Sequence, residues 1–264
     1  MERIDKILSH HGFGSRKDVK KLLRDEQVSV NGKFVYDPGF HLDIENDEVT
    51  VRGERIRLQR DIYIMMNKLR GVVSANKDGE RRTVFDLLDE SMRHKFLGGE
   101  LHCMGRLDID TEGLLILTTD GKLTHRLLSP KTHVPKTYAV ALRDPLSEKE
   151  KSLYAEKFSE GFWIEPEGNE AGFDASPSEL RFEVPEKYQS SENPEISCLL
   201  TIYEGKFHQV KRMFSQMGNE VVYLRRVRMG NLELDLSLPA GGYRELTEEE
   251  IALLSGQAEG LAEG

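Results

Sequence analysis

The residues best suited to chemistry lie in one stretch, Gly105-Arg106-Leu107-Asp108-Ile109-Asp110-Thr111-Glu112-Gly113, which runs straight into the apolar segment Leu114-Leu115-Ile116-Leu117. A charged loop that ends at a buried strand is a place where a scaffold can present a carboxylate rigidly. Asp108, Asp110 and Glu112 crowd together here, but EF-hand spacing is absent and no His cluster accompanies them, so no metal site is expected. Residues i and i+2 of an extended segment share a face, so Asp108 and Asp110 are also a candidate glycosidase pair. The plain alternative is a turn whose Asp and Thr side chains bond their own backbone. Local chemistry alone leaves all of these open.

A second candidate stretch is Glu204-Gly205-Lys206-Phe207-His208-Gln209-Val210-Lys211-Arg212-Met213-Phe214. Val210, Met213, Phe214 and Met217 recur at helical spacing, which predicts a basic amphipathic helix over Phe207–Met217 with an apolar stripe in the core. Lys206, His208, Lys211 and Arg212 are then ordinary surface groups or phosphate contacts. Tyr138, in Lys136-Thr137-Tyr138-Ala139-Val140, reads by itself as core in a strand. Cys103 and Cys198 have neither metal-ligand spacing nor the density of a disulfide framework, which points to a reducing cytoplasm. There is no Walker loop and no convincing dinucleotide fingerprint.

The elements that must hold these residues form two groups. Ile4, Ile7 and Leu8 mark a helix ended by Gly12-Phe13-Gly14. Ser15 is a candidate N-cap for a helix over Arg16–Arg24 with Val19, Leu22 and Leu23 inward. Val28-Ser29-Val30, the Asn31-Gly32 turn and Lys33-Phe34-Val35 read as a hairpin, and Asp47–Val51 closes this unit as a strand. Arg52–Arg60 suits a linker. From Asp61, short apolar runs (Ile62–Met66, Gly113–Leu117, Lys136–Val140, Ser197–Ile202) alternate irregularly with helical candidates at Val84–Leu88 and Gly121–Leu128. No regular βαβ rhythm appears, so the expected class is α+β with a mainly antiparallel mixed sheet. The expected domains are 1-58, 59-252 and a disordered tail over 253-264.

The chain has 264 residues and a formal net charge of −9, which at first argues against a nucleic-acid partner. Distribution decides otherwise. Met1–Arg24 carries seven basic against three acidic residues, and Tyr203–Arg228 six against two. The acidity is concentrated in Glu148–Glu195, with thirteen acidic residues against five basic and no function that composition reveals. No run of about 18 apolar residues exists, the N-terminus lacks a signal-peptide core, and no heptad or long apolar patch is legible. A cytoplasmic monomer is the expectation.

Arg3-Ile4-Asp5-Lys6-Ile7-Leu8, Gly14-Ser15-Arg16 and Val28-Ser29-Val30-Asn31-Gly32 together resemble the S4 RNA-binding domain. The resemblance implies RNA contacts from Arg3, Ser15, Arg16, Lys17, Lys20 and Asn31. A helix opening at Ser15 would offer free N–H groups to phosphates.

Gly105-Arg106-Leu107-Asp108-Ile109-Asp110-Thr111-Glu112-Gly113-Leu114 resembles the Arg-Leu-Asp-x-x-Thr-x-Gly-Leu signature of pseudouridine synthases, whose first Asp is the catalytic carboxylate. That position is Asp108, with Asp110 and Thr111 left to shape the loop. Lys136-Thr137-Tyr138 resembles the second motif, where a Tyr packs on the target uracil. Glu204–Phe214 resembles the third, which would make Lys211 the basic partner of Asp108 and set Val210 near the base. Arg106 would fill the space left by an extruded uridine, while Lys206, His208, Arg212, Arg225, Arg226 and Arg228 would hold phosphates. An ammonium about 4 Å from a carboxylate favours the ionised form by roughly 4 kcal/mol at an effective dielectric near 20, unlike a glycosidase, which needs one protonated carboxyl. His125-Arg126 and Ser129-Pro130 draw the resemblance toward the small-ribosomal-subunit (16S rRNA) group. A large-subunit (23S) enzyme, a non-catalytic ribosome-assembly factor and a nucleoside hydrolase-like enzyme are the competing readings. Leu69 stands where the family usually has Pro after Asn67-Lys68, which bears on the shape of that loop.

Overall fold

In the computed structural model the described residues are 2–44, 46–56, 61–89, 101–191 and 193–256. The chain gathers into two compact units, one of Met1–Tyr63, Asp86–His102 and Leu117–Asp120, the other of Ile64–Phe85, Cys103–Ile116 and Gly121–Gly264. Among the described residues no helix is long and apolar enough to cross a membrane.

The N-terminal region carries helices α1 (Ile4–His10) and α2 (Arg16–Arg24) with strands β1 (Glu2–Arg3), β2 (Val28–Val30), β3 (Lys33–Phe34), β4 (His41–Leu42), β5 (Val49–Val51) and β6 (Glu54–Ile56). The helix over Arg16–Arg24 forms as its periodicity dictates, with Val19, Leu22 and Leu23 buried. They join Ile4, Ile7, Leu8, Val28, Val30, Leu42, Val49 and Val51 in a single apolar cluster. β2 is paired on both sides, by β3 through the Asn31-Gly32 turn and by β5. The linker expected over Arg52–Arg60 is in part a strand. Arg52 and Gly53 both take positive φ, turn the chain back, and let β6 pair with β5; residues 57–60 lie outside the described residues.

The remaining strands are β7 (Tyr63–Lys68), β8 (His102–Cys103), β9 (Glu112–Thr118), β10 (Lys136–Leu142), β11 (Phe162–Ile164), β12 (Phe173–Ala175), β13 (Glu179–Arg181), β14 (Cys198–Ile202), β15 (Val221–Met229), β16 (Leu232–Glu233) and β17 (Tyr243–Glu245). One sheet runs in the order β13-β14-β10-β15-β9-β7-β17, with β16 on β15 and β8 on β9. Every pair with a defined register is antiparallel except β15 with β9, where Arg225 meets Glu112 and Arg226 meets Gly113. The fold is therefore α+β with a mainly antiparallel mixed sheet. The helices here are α3 (Gly121–Leu128), α4 (Glu148–Glu160), α5 (Gln209–Gln216) and α6 (Glu248–Ser255).

Glu148–Glu160, in the acidic stretch, is helix α4, opened by a capping box between Ser147 and Glu150. Its solvent face holds the charges, while Tyr154 and Phe158 are buried. Residues 253–255 of the expected tail belong to α6, which continues to Ser255, with Leu254 buried, and stops at Gly256 in the left-handed conformation. Residues 257–264 lie outside the described residues.

Candidate active site

Asp108 sits on the loop that leads into β9, and that loop is held from below. Ser74 Oγ donates to Leu107 O at 2.9 Å and accepts from Leu107 N at 3.2 Å. Thr111 N closes the turn onto Asp108 O at 3.1 Å, and Gly71 N donates to Ile109 O at 2.7 Å. Lys68, at the end of β7 and fully buried, donates its ammonium to Leu69 O, Ile109 O and Thr111 O at 3.2, 3.3 and 2.9 Å. Burial pulls Lys68 down to about 8, although Asp110, Asp108 and Glu112 oppose the shift. The segment after Asn67-Lys68, where Leu69 replaces a family Pro, is thus folded onto the loop it supports.

Gly113 explains a fixed position of the motif. Its φ is +100°, and a Cβ there would lie 2.2 Å from Arg226 O, so the parallel approach of β15 to β9 requires glycine. One residue before it, Glu112 Oε2 accepts from the Tyr223 hydroxyl at 2.8 Å. Burial first, and this carboxylate second, push the Tyr223 hydroxyl well above its ordinary value.

Lys211 reaches the loop from α5. The helix starts at His208, in a left-handed conformation with φ 49°, and Val210, Met213 and Phe214 are buried beneath it. Phe214 packs on Phe158 of α4 with centroids 5.0 Å apart, and Tyr154 of α4 donates to Met217 O at 2.7 Å. The acidic helix is therefore a brace for the helix that carries Lys211. From there Lys211 Nζ lies 3.1 Å from Asp108 Oδ2 and 2.6 Å from Asp110 Oδ1. Burial is the largest single influence on the Asp110 carboxyl and works to raise it, but the hydrogen bond and the charge of Lys211, with smaller help from its own backbone N–H and Arg70, together leave it below the ordinary carboxylate value. His208 Nε2 stands 3.8 Å from Asp108 Oδ1, with its ring stacked on the exposed Phe207 at 3.8 Å.

Tyr138 is buried at the middle of β10, opposite Leu200 on one side and Arg226 on the other. Arg226 is in turn opposite Gly113, five residues after Asp108, so one row across the sheet runs from Tyr138 to the strand that follows the Asp108 loop. Arg106 is exposed beside Asp108, and Val210 is buried next to Lys211.

Several residues expected to meet RNA are occupied elsewhere. Arg212 is buried; its guanidinium donates to Glu165 O and Ala171 O and lies over Phe173, tying α5 to the β11–β12 hairpin. Lys206 Nζ donates to Asp174 O at 2.6 Å and pairs with Glu204. Arg226 is buried with its Nε on Leu114 O, and Arg228 Nε is bonded to Gly230 O. Arg3 is paired to the buried Asp5 through two bonds of 3.0 Å. Asn31, also at positive φ, braces its turn against Asp47 and Glu48 N. Ser15 and Asp18 cap the first turn of α2 reciprocally, so Ser15 N donates to the Asp18 carboxylate and Asp18 N to Ser15 Oγ. Arg16, Lys17 and Lys20 remain exposed on α2. The charge pattern found cations; it carried no signal of which ones fold inward. The structural task of Lys68 had no local sequence signal, since two of its acceptors lie more than 40 residues away.

With Asp108 on a braced loop, Lys211 reaching it from α5 and a tyrosine on the adjoining sheet, the site can set a carboxylate paired with an ammonium against a base-bearing substrate. A family model described as RNA pseudouridylate synthase matches residues 62–216, and an S4 domain model matches residues 2–49. The chain is 46% identical over 254 residues to an uncharacterised RNA pseudouridine synthase, YtzG, of Bacillus subtilis (strain 168), covering 96% of this chain and 98% of that protein. It is 38% identical over 251 residues to the ribosomal small subunit pseudouridine synthase A of Escherichia coli (strain K12), covering 95% and 98%. A solved crystal structure of a pseudouridylate synthase superposes with a TM-score of 0.61 at 35% identity, covering 96% of this chain and all of that one. On the match over residues 62–216 and these near full-length relatives, the chain belongs to the RNA pseudouridylate synthase family and carries an S4 domain ahead of its catalytic region.

Proposed function

We propose that this protein isomerises a uridine of small-subunit ribosomal RNA to pseudouridine, in the cytoplasm and as a monomer. The observation that carries the reading is the 3.1 Å pairing of Asp108 with Lys211, two residues 103 positions apart that the motif assignment joins in one reaction. The reaction breaks the C1′–N1 bond, turns the uracil and forms a C1′–C5 bond, after which the C5 proton leaves and N1 gains one. Atoms balance without a redox partner or phosphate donor, so the chemistry needs no cofactor. Asp108 serves at C1′, as nucleophile or as the anion that stabilises positive charge there. Lys211 pairs with that carboxylate, and Tyr138 and Val210 bound the uracil.

The uridine must leave its stack, at a cost of a few kcal/mol. Arg106, exposed two residues before Asp108, fills the vacated place. Arg16, Lys17 and Lys20, exposed on α2, grip phosphates and make binding salt-dependent. The small-subunit assignment is supported by the likeness to the E. coli protein of that name.

The test is to incubate the protein with small-subunit ribosomal RNA, digest the RNA and separate the nucleosides. Pseudouridine without free uracil supports the isomerase. Free uracil supports a hydrolase, and unchanged uridine in naked and partly assembled RNA supports a binding factor.

A further inference from the structure

Lys211 is bonded more closely to Asp110 than to Asp108, at 2.6 against 3.1 Å. A lysine ammonium sits on a flexible four-carbon stem and carries no geometry of its own, so a single weak partner locates it poorly. The backbone on both sides of Asp110 is pinned, because Ile109 O and Thr111 O are both acceptors of the buried Lys68. Asp110 is thus a rigidly mounted anion, whereas Lys211 is the group that needs mounting. Asp110 is also the more open of the two carboxylates, with its side chain 45% exposed against 28% for Asp108.

From this geometry we infer that Asp110 is a positioning residue for the reaction: it holds the Lys211 ammonium at one edge of Asp108. The inference rests on the reading of Asp108 and Lys211 given above. Two consequences follow for Asp108. Its Oδ2 is engaged by a cation whose shorter bond is to Asp110, so the ammonium is shared between the two carboxyl groups. Its Oδ1 is left facing His208 Nε2 at 3.8 Å, beyond hydrogen-bonding distance, and is the oxygen available to the ribose carbon. A lysine shared between two carboxylates leaves the group with one net negative charge, which suits a centre where positive charge develops at C1′. With Asp110 removed, Lys211 would either neutralise Asp108 fully or leave it.

The experiment measures single-turnover rates and RNA dissociation constants for the full-length protein and for Asp110→Asn, Asp110→Glu, Lys211→Arg and the Asp110→Asn/Lys211→Arg double variant. The expected result is a rate loss of about 10- to 100-fold in Asp110→Asn, with the dissociation constant and melting temperature unchanged. Asp110→Glu should recover most of the rate. In the Lys211→Arg background the same Asn substitution should cost less than about 3-fold, because a guanidinium fork grips Asp108 on its own. Asp110→Asn at the parental rate overturns the inference while leaving the activity established by the parent. So does an equal loss in Asn and Glu variants with a lowered melting temperature, or an identical Asn penalty in both backgrounds. Absence of pseudouridine from the parental protein would overturn the reading of the site itself.

Discussion

The Lys68 ammonium, with no solvent exposure, donates to Thr111 O at 2.9 Å and so couples the end of β7 to the loop that presents Asp108. A buried lysine without a carboxylate in contact is costly, and here the compensation is a set of backbone carbonyls. Lys68→Met keeps the volume and removes the donors; Ile109 O retains its bond from Gly71 N, while Leu69 O and Thr111 O lose the ammonium. A destabilisation of about 1–3 kcal/mol is expected, together with a loss of turnover larger than the loss of RNA binding. Urea unfolding and single-turnover rates measured side by side check both.

The same lysine makes a pH prediction. Its folded value of about 8 lies below the ordinary 10.5, so between these the unfolded chain binds more protons than the folded one. Stability then rises with pH across that window: the penalty for burying the charge is complete below about 8 and gone above 10.5. Lys136, depressed to about 8 by burial, acts in the same direction. The stability of the parent relative to Lys68→Met should therefore increase from pH 8 toward 10.5. A difference that stays flat over this range contradicts the assignment.

Gly113 and Gly121 make a contrasting pair. A Cβ on Gly113 meets Arg226 O at 2.2 Å on a backbone with positive φ, whereas one on Gly121, in the first turn of α3, meets nothing within 4 Å. Gly113→Ala should cost several kcal/mol and activity with it, through strain and the separation of β9 from β15. Gly121→Ala should be neutral or slightly stabilising. Thermal melts of the two variants provide the comparison.

Arg212 and the lysines of α2 separate structural cations from RNA contacts. Arg212→Met should lower the melting temperature, since it strips two carbonyls of their donor and frees the β11–β12 hairpin, without changing the salt slope of RNA binding. Lys17→Gln with Lys20→Gln should leave the melt unchanged, weaken binding and flatten the salt dependence by about two charges. Titrations at several salt concentrations read this directly.

Which parts were legible in the sequence follows from where each signal is stored. The helix Arg16–Arg24 was readable because its cap and all three inward residues are local. The pairing of Asp108 with Lys211 came from motif resemblance, since nothing local joins residues so distant. β15 is hard to read because Val-Val-Tyr-Leu-Arg-Arg-Val-Arg-Met mixes arginines into a central strand, and the carbonyl that receives the buried Arg226, Leu114 O, lies more than 100 residues earlier. α4 was hidden by its charges, although the Ser147–Glu150 capping box was a readable start signal. Arg212 was read as a surface cation because its acceptors, Glu165 O and Ala171 O, lie more than 40 residues earlier.

The most direct test of the central claim is carbodiimide treatment and primer extension on small- and large-subunit ribosomal RNA after incubation with the protein and with Asp108→Asn. The account predicts a new stop at one uridine of the small-subunit RNA with the parent, and none with the variant, which still binds the RNA. A stop that persists with Asp108→Asn, or one confined to large-subunit RNA, would contradict it.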